Sequence, residues 1–345
     1  MAYNLDMELS RQELIKTVIP GGGHLVILGA GASHALASAN NGDKNGKPLP
    51  VMNDLINVAG VDGMIKALGH KGVVDNFEAV YSELALTHTP DELKPLNDKI
   101  ADYFGGIEIP DGLTNYDYLL AGLRPRDLIA TFNWDPLLVQ AYQRLQDQGL
   151  AGKLPRVVFL HGNVAIGYCS KDGAASTLGS HCPKCFGPLA RTPLLYPVAE
   201  KNYEDNEFIK GQWDAVRSYM KIARVVTVYG YSAPVTDVAA IALLQEGWGS
   251  NTDRQFEQFE LIVRPGTDEQ EARKDWSTFI HTHHYHVVDD IMKSYIGKVP
   301  RRGVELWYEQ NIKAKFVEDN PFPNLTTLDE LSEWVQPLID AEDQY

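Results

Sequence analysis

Four short stretches hold residue types that can do chemistry. Gly29-Ala30-Gly31-Ala32-Ser33 follows the apolar run His24-Leu25-Val26-Ile27-Leu28. Glycines at such a junction let the backbone approach a phosphate, and a helix starting there offers N–H groups and the positive end of its dipole. Ser33 adds a hydroxyl donor. Thr131-Phe132-Asn133-Trp134-Asp135 puts an amide and a carboxyl after a second apolar run, and His161-Gly162-Asn163 puts an imidazole after a third. Histidine, with an ordinary pKa near 6.5, suits proton transfer around neutrality. Gly230-Tyr231-Ser232 ends a fourth run. Each stretch also has a plain structural use. Glycine turns permit tight packing, and Asn or Asp after a strand makes turns or caps the next helix. It is the four together that point to a site. The glycine turn is shorter than GxGxxG, and no acidic residue closes a clean strand about 20 positions later, which disfavours an ordinary dehydrogenase.

The chain has three cysteines, Cys169, Cys182 and Cys185. An odd number crowded into one segment is not a secreted disulfide framework. Cys182-Pro-Lys-Cys185 instead fits a structural zinc site that needs a fourth ligand. The CxxC does not open a helix in a thioredoxin-like context, which disfavours redox chemistry. A histidine run, His281 to His286 followed by Asp289 and Asp290, reads as packed or solvated side chains near a sheet edge rather than a metal site.

These residues need elements to position them. Short continuous apolar runs at 24–28, 127–131, 156–160, 224–229, 259–264 and 285–288 read as buried parallel strands. Helical patterns at 136–148, 206–222 and 235–246 alternate with them. Residues 5–19 read as an amphipathic helix and 40–50 as a polar loop. The stretch 51–122 is mostly helical, with loops near 88–92 and 105–115, and 165–195 is loop-like. Thr327-Leu-Asp-Glu330 fits a capping box opening a terminal surface helix. The expected fold is α/β: a Rossmann-like doubly wound parallel sheet with a helical insertion and a small cysteine (zinc-type) module. Residues 1–50 and 123–290 would form the nucleotide-binding domain, 51–122 the insertion, 165–195 the cysteine module and 291–345 a C-terminal appendage.

Composition sets bounds on partners. The 345 residues are 44% hydrophobic and 22% charged, ordinary for a globular chain. With 31 Lys plus Arg against 46 Asp plus Glu, the formal charge is −15. That excess acid argues against unaided binding to nucleic acid or to an anionic membrane. No apolar run reaches the roughly 18 residues of a membrane span. The opening residues lack the basic and apolar regions of a signal peptide, so the expected location is cytoplasmic.

In their order, Gly29-Ala-Gly-Ala-Ser33, Thr131-Phe-Asn-Trp-Asp135, His161-Gly162 and a cysteine cluster resemble the sirtuin family, whose pattern is GAG-x-S, T-x-N-x-D, H-G and a zinc module. Cys169, soon after His161, and Cys182-Pro-Lys-Cys185 followed by Gly187-Pro-Leu189 are further sirtuin-like details. The stretch Pro193-Leu-Leu-Tyr-Pro197, Lys201, Trp213, Gly230-Tyr-Ser232 and Thr236-Asp237 is closer to the bacterial sirtuin-like branch known from anti-phage proteins that hydrolyse NAD. The resemblance spans roughly residues 20–290.

It implies that Gly29, Ala30, Gly31 and Ser33 line a pyrophosphate. Asn133 would position the nicotinamide-side ribose and an attacking water, with Asp135 nearby. His161 would be the base, and Gly230 and Ser232 would touch a phosphate or the adenine-side ribose. At the family's fourth cysteine this chain has Asp172; His181, beside Cys182, is the alternative ligand. Two departures matter. The Phe-Arg pair that follows the glycine motif in deacetylases is absent. Leu195-Tyr-Pro-Val-Ala-Glu200 replaces the Phe-Gly-Glu that pairs with a peptide substrate. Both favour water as acceptor, hence an NAD glycohydrolase. A protein-lysine deacylase and a non-catalytic NAD or ADP-ribose sensor are the alternatives. The resemblance further implies a homo-oligomer or a regulatory partner protein, such as an ATPase or nuclease.

Overall fold

Six runs of mostly aliphatic residues form one parallel sheet: β1 (Gly23–Leu28), β2 (Leu128–Thr131), β3 (Arg156–Phe159), β4 (Ala223–Tyr229), β5 (Gln258–Ile262) and β6 (Tyr285–Val288). The computed structural model describes residues 8–39, 42–197, 203–232 and 237–344. Lys201, Glu200, Thr236 and the first seven residues, all used in the sequence reading, lie outside them. Across the sheet the order is β3-β2-β1-β4-β5-β6, with every neighbouring pair parallel. This is the order of doubly wound dinucleotide-binding sheets, in which winding reverses between β1 and β4.

Alternation along the strands separates two cores. Leu25 and Ile27 of β1 join one, with Trp213, Val216, Leu244 and Phe259. Val26 and Leu28 join the other, with Leu119, Leu120, Leu138, Leu331 and Val335. Helices Glu207–Met220 and Val238–Trp248 therefore cover one face. The helical stretch between β1 and β2, helix Leu137–Leu145 and the terminal helix Leu328–Glu342 cover the other. Burial on both faces explains why the strands read as unbroken apolar runs.

Three strand positions, one each on β1, β4 and β5, break that apolar rule and satisfy one another. His24 Nε2 donates to Thr227 Oγ1 (2.7 Å), whose hydroxyl donates to Glu260 Oε2 (2.9 Å), while Tyr295 N–H donates to Glu260 Oε1 (3.0 Å). Burial pushes His24 down to about 3 and Glu260 up to about 7, so the imidazole is neutral.

Local signals moved some boundaries. Among the described residues of 5–19 the helix spans Arg11–Lys16, opened by a capping box of Ser10 and Glu13. Glu8–Leu9 instead pairs in parallel with Phe316–Val317. Thr89, with Pro90 at the first helical position and Glu92, opens helix Pro90–Gly105, which shortens the expected loop. Stretch 165–195 holds a three-stranded antiparallel sheet, Ile166–Tyr168, Ala175–Thr177 and Ala190–Arg191. Strands this short leave no periodicity to read. The Thr327–Glu330 capping box forms as expected. Among the described residues, no helix is long and apolar enough to cross a membrane.

Candidate functional site

In open parallel sheets the ligand crevice lies beyond the carboxyl ends of the strands, where winding reverses. Here that place is occupied by the glycine turn after β1 and by Gly230 after β4. Helix Ala30–Ala39 starts directly at the turn. A Cβ on Gly29 would lie 2.5 Å from Gly230 O, and one on Gly230 (φ +66°) would lie 2.1 Å from Ala32 N. Glycine is required at both positions because the two backbones touch. Gly31 N–H donates to Gly230 O (2.9 Å). Ala30, Gly31 and Gly230 are partly accessible and Ser232 is exposed at this rim.

Beneath the turn lies a buried polar group. Asn133 Nδ2 donates to Gly29 O (2.9 Å), Ser33 Oγ (3.1 Å) and Tyr116 OH (3.2 Å). Ser33 and Tyr116 share a 2.6 Å hydrogen bond. Asn133 Oδ1 is buried with no hydrogen-bond partner. An unpaired buried carbonyl is costly, and its cost is recovered when a donor arrives. Asn163 Nδ2 donates to the carbonyls of Asn133 (3.2 Å) and Asp135 (2.7 Å), tying the ends of β2 and β3 together. The structure thus gathers Gly29, Ser33, Asn133 and Asp135. It adds Tyr116 and the clamping role of Asn163, neither assigned from sequence. Tyr116 follows the Thr114 helix cap and reads in sequence as an ordinary core aromatic.

Asp135 accepts from Leu137 N–H (3.1 Å). Burial pushes its carboxyl up to about 6, partly offset by a hydrogen bond from Ser33. Below the unfolded value of 3.8 both states hold the proton; as pH rises toward 6, only the folded state keeps it. Asp135 thus weakens the fold progressively across that window, by an amount on the order of 3 kcal/mol above it. Asp135→Asn, which keeps the acceptor for Leu137, is expected to be the more stable protein in urea unfolding at pH 7. Its advantage should vanish near pH 4. An equal difference at both pH values contradicts the buried carboxylate.

His161, just beyond the end of β3, is buried, with Gly162 at φ +77°. A Cβ on Gly162 would lie 1.9 Å from Pro193 O, so the chain after the cysteine module presses directly on this turn. His161 Nε2 is 3.2 Å from Tyr203 OH. Its ring meets Phe132 edge-on at 4.8 Å, and Phe132 stacks on Tyr231 at 4.2 Å and 12°. Tyr231 OH donates to Asp237 Oδ2 (2.9 Å). His161 is therefore set among aromatic rings of one core, while the Asn133 group meets Tyr116 of the other; the two share the carboxyl end of the sheet.

The cysteine module gathers one ligand atom each from Cys169, Asp172, Cys182 and Cys185, all within 4.8 Å of one another. Cys169 Sγ lies 3.6 Å from Cys185 Sγ and 3.5 Å from Asp172 Oδ2, and Cys182 Sγ lies 3.4 Å from Asp172 Oδ2. Four ligands around a zinc ion at roughly 2.0–2.3 Å have separations of this size. Its hydrogen bond with Asp172 pushes the Cys185 thiol up to about 12, a conflict that a central dication removes. His181 is exposed, bridged to Pro188, and outside the group. The donor set fits structural zinc. Purified protein is expected to carry about one zinc per chain by elemental analysis. Cys182→Ala should lose the metal and open the module to proteolysis.

No family model and no curated protein matches the chain. Among solved structures it is similar to an ADP-ribose complex of a Sir2 homologue, at 16% identity and TM-score 0.40, covering 95% of this chain and 98% of that one. A Sir2 homolog–NAD complex aligns at 15% identity and TM-score 0.38, covering 94% and 93%. A structure concerned with sirtuin substrate affinity aligns at 17% and 0.39, covering 82% and 93%.

Proposed function

We propose that the chain is an NAD glycohydrolase that cleaves NAD to nicotinamide and ADP-ribose. The observation that carries this reading is the buried Asn133 amide, its Oδ1 unpaired, under a glycine turn at the reversal point of a 3-2-1-4-5-6 sheet. Cleaving the nicotinamide–ribose bond builds an oxocarbenium-like centre, and nicotinamide leaves neutral. The protein must hold and distort the dinucleotide, exclude bulk water and offer one base. In this reading, the turn of Gly29, Ala30, Gly31 and Ser33, with Gly230 and Ser232, takes the phosphates and adjoining ribose. Asn133 orients the nicotinamide-side ribose and the water. His161 removes the proton, and Asp135, ionised at neutral pH, sits where positive charge develops. No metal takes part; zinc would brace the cysteine module.

Water as the acceptor is supported by what holds the chain at 193–197. Tyr196 OH donates to Asn97 O (2.8 Å), Ser82 Oγ donates to Pro197 O (2.9 Å), and Tyr81 stacks on Tyr196 at 5.0 Å. The chain at 193–197, where an extended peptide would pair, is thereby engaged by the helical layer. The test is nicotinamide release from NAD by the purified protein, with and without an acylated lysine peptide. Release without peptide supports the hydrolase. Release only with peptide, together with an acylated ADP-ribose product, makes it a deacylase. Tight NAD binding without product makes it a sensor. A regulated effector role in phage defence, with an oligomer or partner holding it off, extends this reading through the resemblance alone. A monomer that is active without a trigger would refute that extension.

A further inference from the structure

At the carboxyl end of the sheet, β5 runs past Ile262 into Val263-Arg264-Pro265-Gly266, one strand out from β4. Tyr229 is level with Ile262, so Arg264 leaves the sheet two residues on, as Tyr231 does. The ladder holds beyond the strand on both sides: Gly230 N–H donates to Ile262 O (3.4 Å), and Val263 N–H donates to Val288 O (2.8 Å). Thr267 N–H donates to Arg264 O (3.1 Å), with Gly266 at φ +84°, so a turn fixes the Arg264 backbone. Its side chain is exposed, and among the described residues no hydrogen bond or ion pair engages the guanidinium. Arg144, Arg217, Arg224, Arg301 and Arg302 are each paired with a carboxylate. The two acids that follow β6 are engaged by their own neighbours. Asp289 Oδ1 accepts from Lys293 Nζ (2.6 Å), and Asp290 Oδ1 accepts from Met292 N–H (2.9 Å).

We propose that Arg264 is a specificity residue that takes a phosphate carried on the 2′-oxygen of the adenine-side ribose, so that the chain accepts NADP as well as NAD. This deepens the hydrolase reading and rests on it. In that reading the nicotinamide side lies at the ends of β2 and β3, the pyrophosphate at the turn after β1, and the adenine-side ribose at Gly230 and Ser232 after β4. The next strand end in the same direction is that of β5, about 5 Å further on and within reach of an arginine side chain. A guanidinium is a planar fork that matches two phosphate oxygens at once. In doubly wound dinucleotide folds an acidic residue selects the bare ribose hydroxyl, whereas an arginine accommodates its phosphate. Because Arg264 is exposed, the added phosphate stays at the solvent margin and keeps part of its hydration.

Calorimetry on the full chain, with ADP-ribose and with ADP-ribose 2′-phosphate, tests this without turnover. The wild type is expected to bind the 2′-phosphate at least as tightly as ADP-ribose. Arg264→Ala should lower the ratio of the two affinities by on the order of 10–100-fold, the loss that goes with a charge-assisted contact. Arg264→Lys, which keeps the charge without the fork, should lower it less. In nicotinamide release, the ratio of kcat/KM for NADP to that for NAD should fall in Arg264→Ala by the same factor. Weaker binding of the 2′-phosphate than of ADP-ribose by the wild type overturns the inference and leaves the NAD reading standing. An unchanged ratio in Arg264→Ala does the same. Binding of neither ligand overturns both.

Discussion

Asn133→Ala and His161→Ala should each reduce nicotinamide release by at least about 100-fold, the loss expected when a preorganised polar group or a general base is removed. The two variants fail for different reasons. Asn133 lies in a polar group whose members depend on it: its Nδ2 meets Gly29 O, Ser33 Oγ and Tyr116 OH. Alanine removes a shared donor and also the unpaired Oδ1 that is available to a ligand. NAD affinity and turnover should therefore fall together. A stability loss of about 1–3 kcal/mol is expected beside it, from buried groups left unpaired. His161→Ala leaves that group intact, so NAD or ADP-ribose should still bind while turnover stops. Calorimetry on both variants separates the roles. Full activity in both would sink the site assignment.

Glu342→Ala is expected to be the most destabilising single change outside the site, costing about 3–5 kcal/mol, because it leaves buried positive charge unpaired. Glu342 Oε1 accepts from Arg301 Nε (2.9 Å) and Arg302 Nη1 (2.7 Å), with Arg124 Nε at 3.5 Å, and Oε2 accepts from Arg301 Nη2 (2.6 Å). The Arg301 and Arg302 side chains are 0% and 1% exposed. Arg301 also donates to the carbonyls of Leu123 and Lys153, so one carboxylate holds together the approach to β2, the approach to β3 and the terminal helix. Burial alone would raise the Glu342 carboxyl, but Arg301, Arg124 and Arg302 hold it below its ordinary value. The stabilisation is therefore present above pH ~4.5 and fades as pH falls below it. Urea titration at pH 7 measures the loss. Glu342→Gln, which keeps the shape without the charge, should lie between. A change below about 1 kcal/mol would place this cluster with weak surface ion pairs.

The strands were legible because a sheet covered on both faces demands unbroken apolar runs, and each of the six runs read from sequence is a strand. The strand-end residues were legible because Gly, Asn and His break those runs abruptly. The order of the strands was not, since crossover connections carry no local signal for which neighbour a strand will pair with. Tyr116 escaped for a related reason: it sits in a segment whose pattern describes its own helix, while its hydroxyl serves another element. Arg301, Arg302 and Glu342 sit in a stretch that reads as a charged appendage, and nothing in it shows that these charges are buried. The cysteine module stood between these cases. Its CxxC spacing was visible, but the closeness of Asp172 depends on strands two and three residues long.

The chain from His24 through Thr227 to Glu260 runs across three adjacent strands, and this bears on how the sheet is assembled. Parallel strands can mispair by sliding past one another, and a slip of one residue turns every side chain to the opposite face. Here a slip of β1 against β4 would strip His24 of Thr227, and a slip of β4 against β5 would strip Glu260 of its hydroxyl donor. Each error buries a lone titratable group, a penalty of several kcal/mol. The line of polar contacts thus acts as a proofreading mark for the folding chain. Because β1 and β4 end together, with Leu28 level with Tyr229, the correct alignment also brings Gly29 against Gly230. The register of β1 against β4 thus also fixes where the two glycine backbones meet.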